Sequence, residues 1–315
     1  MLKIYDIGYK VFFWLKRMRK RFPKMLKLAQ LYEYYFTLLL NRKLVPWLQK
    51  HPVKWGLNTK KRDESYTVSL TSFPARIEYV HIAVETIMRQ TFKPDRIILW
   101  LAESQFPEKK LPDSLKRLER RGLTIRWCDD LRSHKKYYYA FCEYPESNII
   151  LMDDDIFYPR DTIKKLVKLH KKCPSDIVCV SAQVIAPTMD ALPSVWPTAE
   201  LGKRYISCTY LQAFSGAGSL FPAKWYPAEL FNKEKAMTLA GSADDLWLKA
   251  MSLLAGVKTT MVYPLRGFPV DIQIQNNETL FSVNGGHGEN INDAVWQALV
   301  TEYGLAQVEK QEEES

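Results

Sequence analysis

The chain has 315 residues, 47% hydrophobic and 25% charged, which supplies a sizeable core and excludes a disordered or fibrous protein. Its net charge of +10 is unevenly placed: residues 1–65 hold 16 Lys and Arg against 4 Asp and Glu, leaving 29 against 31 in residues 66–315. A nucleic-acid enzyme needs basic surface around its site, so this division argues against a nucleic-acid partner.

Residues 1–50 alternate aromatic and aliphatic residues with Lys and Arg, as in Tyr9, Phe12, Phe13 and Leu15 beside Lys16, Arg17, Arg19, Lys20 and Arg21. Pro23 interrupts the pattern, and Met25, Leu28, Leu31, Tyr32, Tyr35 and Leu39 predict a second helix over 24–40. A basic amphipathic arm of this kind fits an anionic membrane surface; the alternative is an arm packed on the main domain or on a second subunit. The apolar run 11–15 is too short for a signal peptide and runs into cationic residues, and no stretch approaches the roughly 20 apolar residues of a membrane-spanning helix. Five cysteines without a Cys-x-x-Cys pair read as reduced core residues, so the expected location is cytoplasmic, peripheral on the inner face of the plasma membrane.

A polar linker over 51–64 precedes a change of rhythm. Strands are predicted over 66–70, 96–101, 123–127 and 148–152, with helices over 78–90, 113–121, 135–141 and 162–171. That alternation implies βαβ units and a largely parallel sheet, whose ligands bind outside the carboxyl ends of the strands. The loop 71–76, Asp129-Asp130 and the Asp153-Asp154-Asp155 run all fall at that edge.

The triple Asp follows the apolar run 149–152, and three adjacent carboxylates leaving a buried strand call for an offsetting cation such as Mg²⁺ or Mn²⁺. If the strand continues that far, Asp153 and Asp155 point to one side and Asp154 to the other. The alternative is an Asp-rich turn. Farther along, strands are predicted over 177–182 and 205–212, and Ser215-Gly216-Ala217-Gly218-Ser219 reads as a backbone that approaches a ligand or as a tight turn. A helix over 244–254 carries Asp244 and Asp245 in its first turn, with Ser242 as a candidate cap. A polar glycine-rich loop containing His287 leads to a last helix over 294–303 and an acidic tail.

Four motifs in this order, residues 68–76, Ser133-His134-Lys135-Lys136-Tyr137, the Asp-x-Asp of 153–155 and Ala243-Asp244-Asp245-Leu246-Trp247, resemble the A-type, metal-dependent glycosyltransferase family, in particular bacterial cell-surface polysaccharide transferases and distantly the exostosin-like transferases. The resemblance implies an α/β fold: a single A-type domain with a Rossmann-like, mostly parallel mixed sheet flanked by helices and an N-terminal basic helical arm. The expected organisation is an arm and linker over 1–65, a nucleotide-sugar domain over 66–305 and a disordered tail over 306–315.

By the same resemblance, Thr71, Ser72 and Arg76 would hold the nucleotide, and Lys136, with Lys135 as the alternative, would reach its diphosphate. Asp153 and Asp155 would bind Mn²⁺ or Mg²⁺, Asp153 or Asp154 would reach the donor, and His287 would add a ligand. Asp245 or Asp244 would face the acceptor hydroxyl, as general base in an inverting enzyme or as an electrostatic support in a retaining one. The implied reaction transfers a hexosyl or N-acetylhexosaminyl group from a UDP-linked donor to a glycan or lipid-linked glycan of a bacterial envelope or capsule. The competing readings are a metal-dependent nucleotidyltransferase or nuclease, and a nucleotide-sugar-binding protein without turnover.

Overall fold

The structure, a computed structural model, describes residues 1–200, 203–263, 268–273 and 290–308, without the side chains of residues 19–21. Three helices come first, α1 (Leu2–Arg21), α2 (Leu26–Leu39) and α3 (Val45–Lys50). Then β1 (Ser65–Thr71), α4 (Val80–Met88), β2 (Arg96–Ala102), α5 (Asp113–Glu119), β3 (Leu123–Cys128), α6 (Lys135–Glu143) and β4 (Ser147–Leu151) alternate. The second half holds β5 (Ile156–Phe157), α7 (Thr162–His170), β6 (Ile177–Cys179), β7 (Ala182–Val184), β8 (Leu211–Ala213) and β9 (Ser219–Phe221). It continues with the one-turn α8 (Lys233–Lys235), then α9 (Asp244–Leu254), β10 (Thr259–Met261), β11 (Val270–Asp271) and α10 (Ile291–Tyr303).

One seven-stranded sheet runs β10-β6-β9-β4-β1-β2-β3, and β1 pairs in parallel with both β2 and β4. Its strands β1, β2 and β4 are buried on both faces, and side chains alternate as the pleat requires. Ile98, Trp100, Ile149 and Leu151 enter a core shared with α6, α9 and α10, whereas Ile97, Leu99, Ile150 and Met152 enter one shared with α4, α5 and α7.

Two strands fall where sequence pattern misled. β9 begins at Ser219, the last residue of the small-residue stretch read as a turn or ligand approach, and it runs antiparallel between β4 and β6. β10 follows Gly256, which takes a positive φ of 66° after α9. Both have only three residues, too few for periodicity to register against flanking loops.

The N-terminal helices do not project as an arm. Pro23 ends α1, and the chain folds back so that α1 and α2 pack together; Tyr9 stacks on Phe13 at 5.5 Å and meets Phe36 edge-on at 5.2 Å. Tyr5, Tyr9, Phe12, Phe13 and Phe36 are all buried, and they close against Ile82 and Ala83 of α4 and against Phe157, Val270 and Ile272. The aromatic residues of these helices are therefore core, as the alternative of an arm packed on the main domain has it, and the expected single A-type domain with a basic arm is corrected to a helical lobe and a sheet lobe packed into one body. Polar contacts join them: Tyr5 and Tyr9 donate to the Tyr158 and Phe157 carbonyls, Val270 N donates to Tyr9 Oη at 3.2 Å, and Arg160 pairs with Asp6 at 2.8 Å.

His170 on α7 is buried with its ring edge-on to Tyr66 at 6.3 Å. The expected tail from residue 309 on lies outside the described residues. No described helix is long and apolar enough to cross a membrane.

A packed lobe and a projecting arm differ in what Phe36 does. Phe36→Ala should cost about 3–5 kcal/mol of stability by urea unfolding, as for a large core aromatic; an unchanged midpoint would restore the arm.

Candidate functional site

The carboxyl-end edge of β1 and β4 gathers most of the residues that the sequence singled out. β4 ends at Leu151, and the chain turns at Asp154-Asp155 before β5, so the extended geometry that would set Asp153 beside Asp155 is not kept. Instead Arg76 Nη1 lies 2.8 Å from Asp154 Oδ1 and 2.8 Å from Asp155 Oδ2, while Asp153 turns to Lys136, whose Nζ is 2.9 Å from its Oδ1. The turn expected as the alternative and the offsetting cations are both present, the cations being Arg76 and Lys136 of the protein itself.

Asp154, buried, also accepts from Ser72 Oγ at 2.5 Å, so it locks the 71–76 loop onto the end of β4. Thr71 is turned away from the acids and donates to the Trp100 carbonyl at 2.8 Å. Arg76 therefore serves as a cross-brace within this edge.

Across the edge, α9 begins with Asp244 and Asp245. Lys136 Nζ lies 3.0 Å from Asp244 Oδ2, at an angle that makes an ion pair without a hydrogen bond, so one buried ammonium joins Asp153 to Asp244. Asp245 Oδ1 accepts from the Ser215 amide at 3.1 Å. Ser242 supplies no side-chain cap to α9; its carbonyl accepts from Ser133 Oγ at 2.7 Å, tying the 133–137 motif to the helix start. Lys135 is engaged elsewhere, with Asp130 at 2.6 Å, which leaves Lys136 as the lysine of the site.

Sequence reasoning passed over two contributors, Tyr158 and Asp271, and left the neighbour of a third unnamed. The Ser215-Gly216 backbone does make a close approach, and its neighbour is Asp153: a Cβ on Gly216 would lie 1.6 Å from Asp153 Oδ2. Tyr158 Oη, buried, donates to the Gly216 carbonyl at 2.5 Å and accepts from the Asp153 amide at 2.6 Å. Asp271 faces the acids from the β5–β11 ribbon, where Asp271 pairs with Ile156 and the Ile272 amide donates to the Asp155 carbonyl at 2.6 Å. A lone Tyr and a lone Asp carry no motif, so only the glycine-rich stretch held a signal.

The electrostatics follow from burial. Desolvation and the adjacent Asp154 push the Asp155 carboxyl up to about 7, and desolvation with Asp244 does the same to Asp245. Lys136 is held well above its usual value: burial opposes its charge, and Asp153, Asp244 and Asp245 outweigh it. Burial raises Asp271 as well.

Five carboxyls, those of Asp153, Asp154, Asp155, Asp244 and Asp245, thus face two cations, Arg76 and Lys136. That excess suits a divalent ion of the kind held by one or two carboxylates and completed by substrate phosphate, with Asp153 and Asp155 as the partly open donors. No group of three or more His, Cys, Asp or Glu with metal-holding geometry is present among the described residues. His287 lies outside them.

No family model matches the chain, and no curated protein does. Solved structures resemble it weakly. S. aureus TarS 1-349 is 11% identical with a TM-score of 0.43, over 63% of this chain and 58% of TarS 1-349. Glucosyl-3-phosphoglycerate synthase from Mycobacterium tuberculosis, in complex with Mn²⁺, UDP and phosphoglyceric acid, is 12% identical with a TM-score of 0.46, over 77% of this chain and 80% of that one. The mannosyltransferase PcManGT from Pyrobaculum calidifontis, in complex with GDP-Man and Mn²⁺, is 12% identical with a TM-score of 0.42, over 84% and 77%. The expected membership of the A-type, Asp-x-Asp family is corrected on these findings: no family model or curated relative supports it, and likenesses of this size place the chain in no family.

Two outcomes test the site. Gly216→Ala should displace Asp153 and cost about 1–3 kcal/mol, the usual range for overpacking, measured by urea unfolding; a silent substitution would mean that the approach is not tight. For Asp245, a folded-state value of about 7 against an ordinary 3.8 means that the folded chain holds the extra proton in between, so this contribution to stability is present below about pH 4 and is lost as pH rises to about 7. Asp245→Asn fixes a neutral group there and should flatten the fall of melting temperature between pH 5 and 7; parallel curves for both proteins would show an ordinary carboxyl.

Proposed function

We propose that the chain transfers a sugar from a nucleotide-sugar donor, UDP-linked in the first instance, to a glycan hydroxyl. The observation that carries this reading is the single ammonium of Lys136 held between Asp153 at the end of β4 and Asp244 at the start of α9. It joins two acid groups with different requirements. Asp153 and Asp155 sit where a doubly wound sheet presents its ligands, and their excess charge fits a cation-bound diphosphate. Asp245, with its carboxyl near neutrality, suits proton transfer at a hydroxyl.

In this reading Asp153 and Asp155 would hold a divalent ion, Mn²⁺ or Mg²⁺, which would supply neutralising charge to the diphosphate. Ser72 and Arg76 shape the loop beside it by fixing Asp154, and Lys136 ties Asp153 to Asp244. Asp245, held through Ser215 N, accepts the acceptor proton. The near-neutral electrostatic balance of residues 66–315 supports a sugar acceptor over a nucleic acid.

Incubation with a panel of nucleotide sugars and Mn²⁺ or Mg²⁺ tests the reading. One donor should bind and release its nucleoside diphosphate, Asp245→Asn should slow release about 10²–10⁴-fold with donor binding kept, and Asp153→Asn should weaken metal-dependent donor binding. Failure of every donor to bind, or release of pyrophosphate from nucleoside triphosphates instead, would overturn it.

A further inference from the structure

The helical lobe has an inner face, already consumed by the aromatic core, and an outer one. Ile4, Ile7 and Trp14 recur at helical spacing along α1, and Leu28, Leu31 and Tyr35 along α2; each is 47–60% exposed. Around them stand the exposed side chains of Lys3, Lys10 and Arg17 on α1 and Lys24 and Lys27 at the start of α2. The two acids within residues 1–50 do not offset this charge, because Asp6 pairs with Arg160 and Glu33 with Lys16 at 3.0 Å. The outer surface is therefore apolar and cationic together, with its own acids already engaged.

We infer that this outer face of α1 and α2 docks on an anionic lipid bilayer. A nucleic acid would take the charges and leave six large apolar side chains wet, and a second copy would oppose like charge to like. A bilayer surface satisfies both: apolar side chains enter the acyl boundary, and Lys and Arg meet anionic headgroups. The residues that do this are not the aromatics of the sequence pattern, since Tyr9, Phe12 and Phe13 face inward. Because Tyr5, Tyr9 and Asp6 tie the same helix to residues 157–160, docking holds the carboxylate edge at a fixed place relative to the bilayer.

The full chain is tested by co-sedimentation with vesicles of phosphatidylcholine alone and of phosphatidylcholine mixed with phosphatidylglycerol, without any sugar donor, so the outcome is independent of the transfer reaction. The mixed vesicles should bind at least about tenfold more tightly, as expected when several Lys and Arg reach the surface. Two variants should each lose at least about tenfold in that binding: Ile7→Glu with Trp14→Glu and Leu31→Glu, and Lys3→Gln with Lys10→Gln and Arg17→Gln. The second changes only exposed polar side chains and keeps the test open if the first misfolds. Equal binding to both vesicle types, undiminished binding by the Gln variant, or binding to RNA without binding to mixed vesicles would each overturn the inference.

Discussion

A buried ammonium is the constraint from which the site is built. Lys136 sits at the start of α6 almost removed from water, and such a charge is tolerated only beside its opposites. Asp153 and Asp244 meet that requirement from two elements far apart in sequence, β4 and α9. Each acid in turn needs the lysine, since both are close to further carboxyls. Removing the lysine leaves the buried Asp244 uncompensated, which is the costly way to alter an ion pair. Arg76 does the same on the other side of the turn for Asp154 and Asp155, so two cations from the protein set how five acids share one edge.

The surrounding architecture serves that edge. The antiparallel entry of β9 brings the 215–216 backbone to the carboxyl ends of its parallel neighbours, where Gly216 makes room for Asp153 and Ser215 offers its amide to Asp245. The β5–β11 ribbon closes the opposite side, and α1 lies over it. Every layer, from helical lobe to ribbon to sheet, thus has a polar contact with the turn that carries the acids or with residues adjoining it.

The regular half of the fold was legible because its signals are local and redundant. Over residues 65–170 β1, β2 and β4 are runs of mostly buried side chains, and each helix repeats its apolar positions against one core. The three-residue strands β9 and β10 gave no such run. The site was legible in its acids and in Lys136, because carboxylates and a lysine beside apolar runs are costly and therefore conspicuous. What they pair with was not: alternation along a strand places Asp153 with Asp155, whereas the turn after Leu151 sends Asp155 with Asp154 to Arg76. The N-terminal helices were left between a membrane arm and a packed arm for a related reason. Composition shows that aromatic and basic residues alternate, but only the packing partner decides which apolar side chains face inward, and that partner, with Phe157 and Val270, lies far along the chain.

That distance has a consequence for how the protein is made. The Tyr9 hydroxyl meets residues 148 and 261 positions later, so α1 is synthesised long before the last of these partners. Contacts of such separation close late, after the entropy of long loops has been overcome. Until then an aromatic helix has no folded surface to cover, and the acid-bearing turn has no lid of helices behind it. The order of events in the nascent chain is therefore written into one phenol: the site is braced only after the strand that carries Val270 has come back to meet α1.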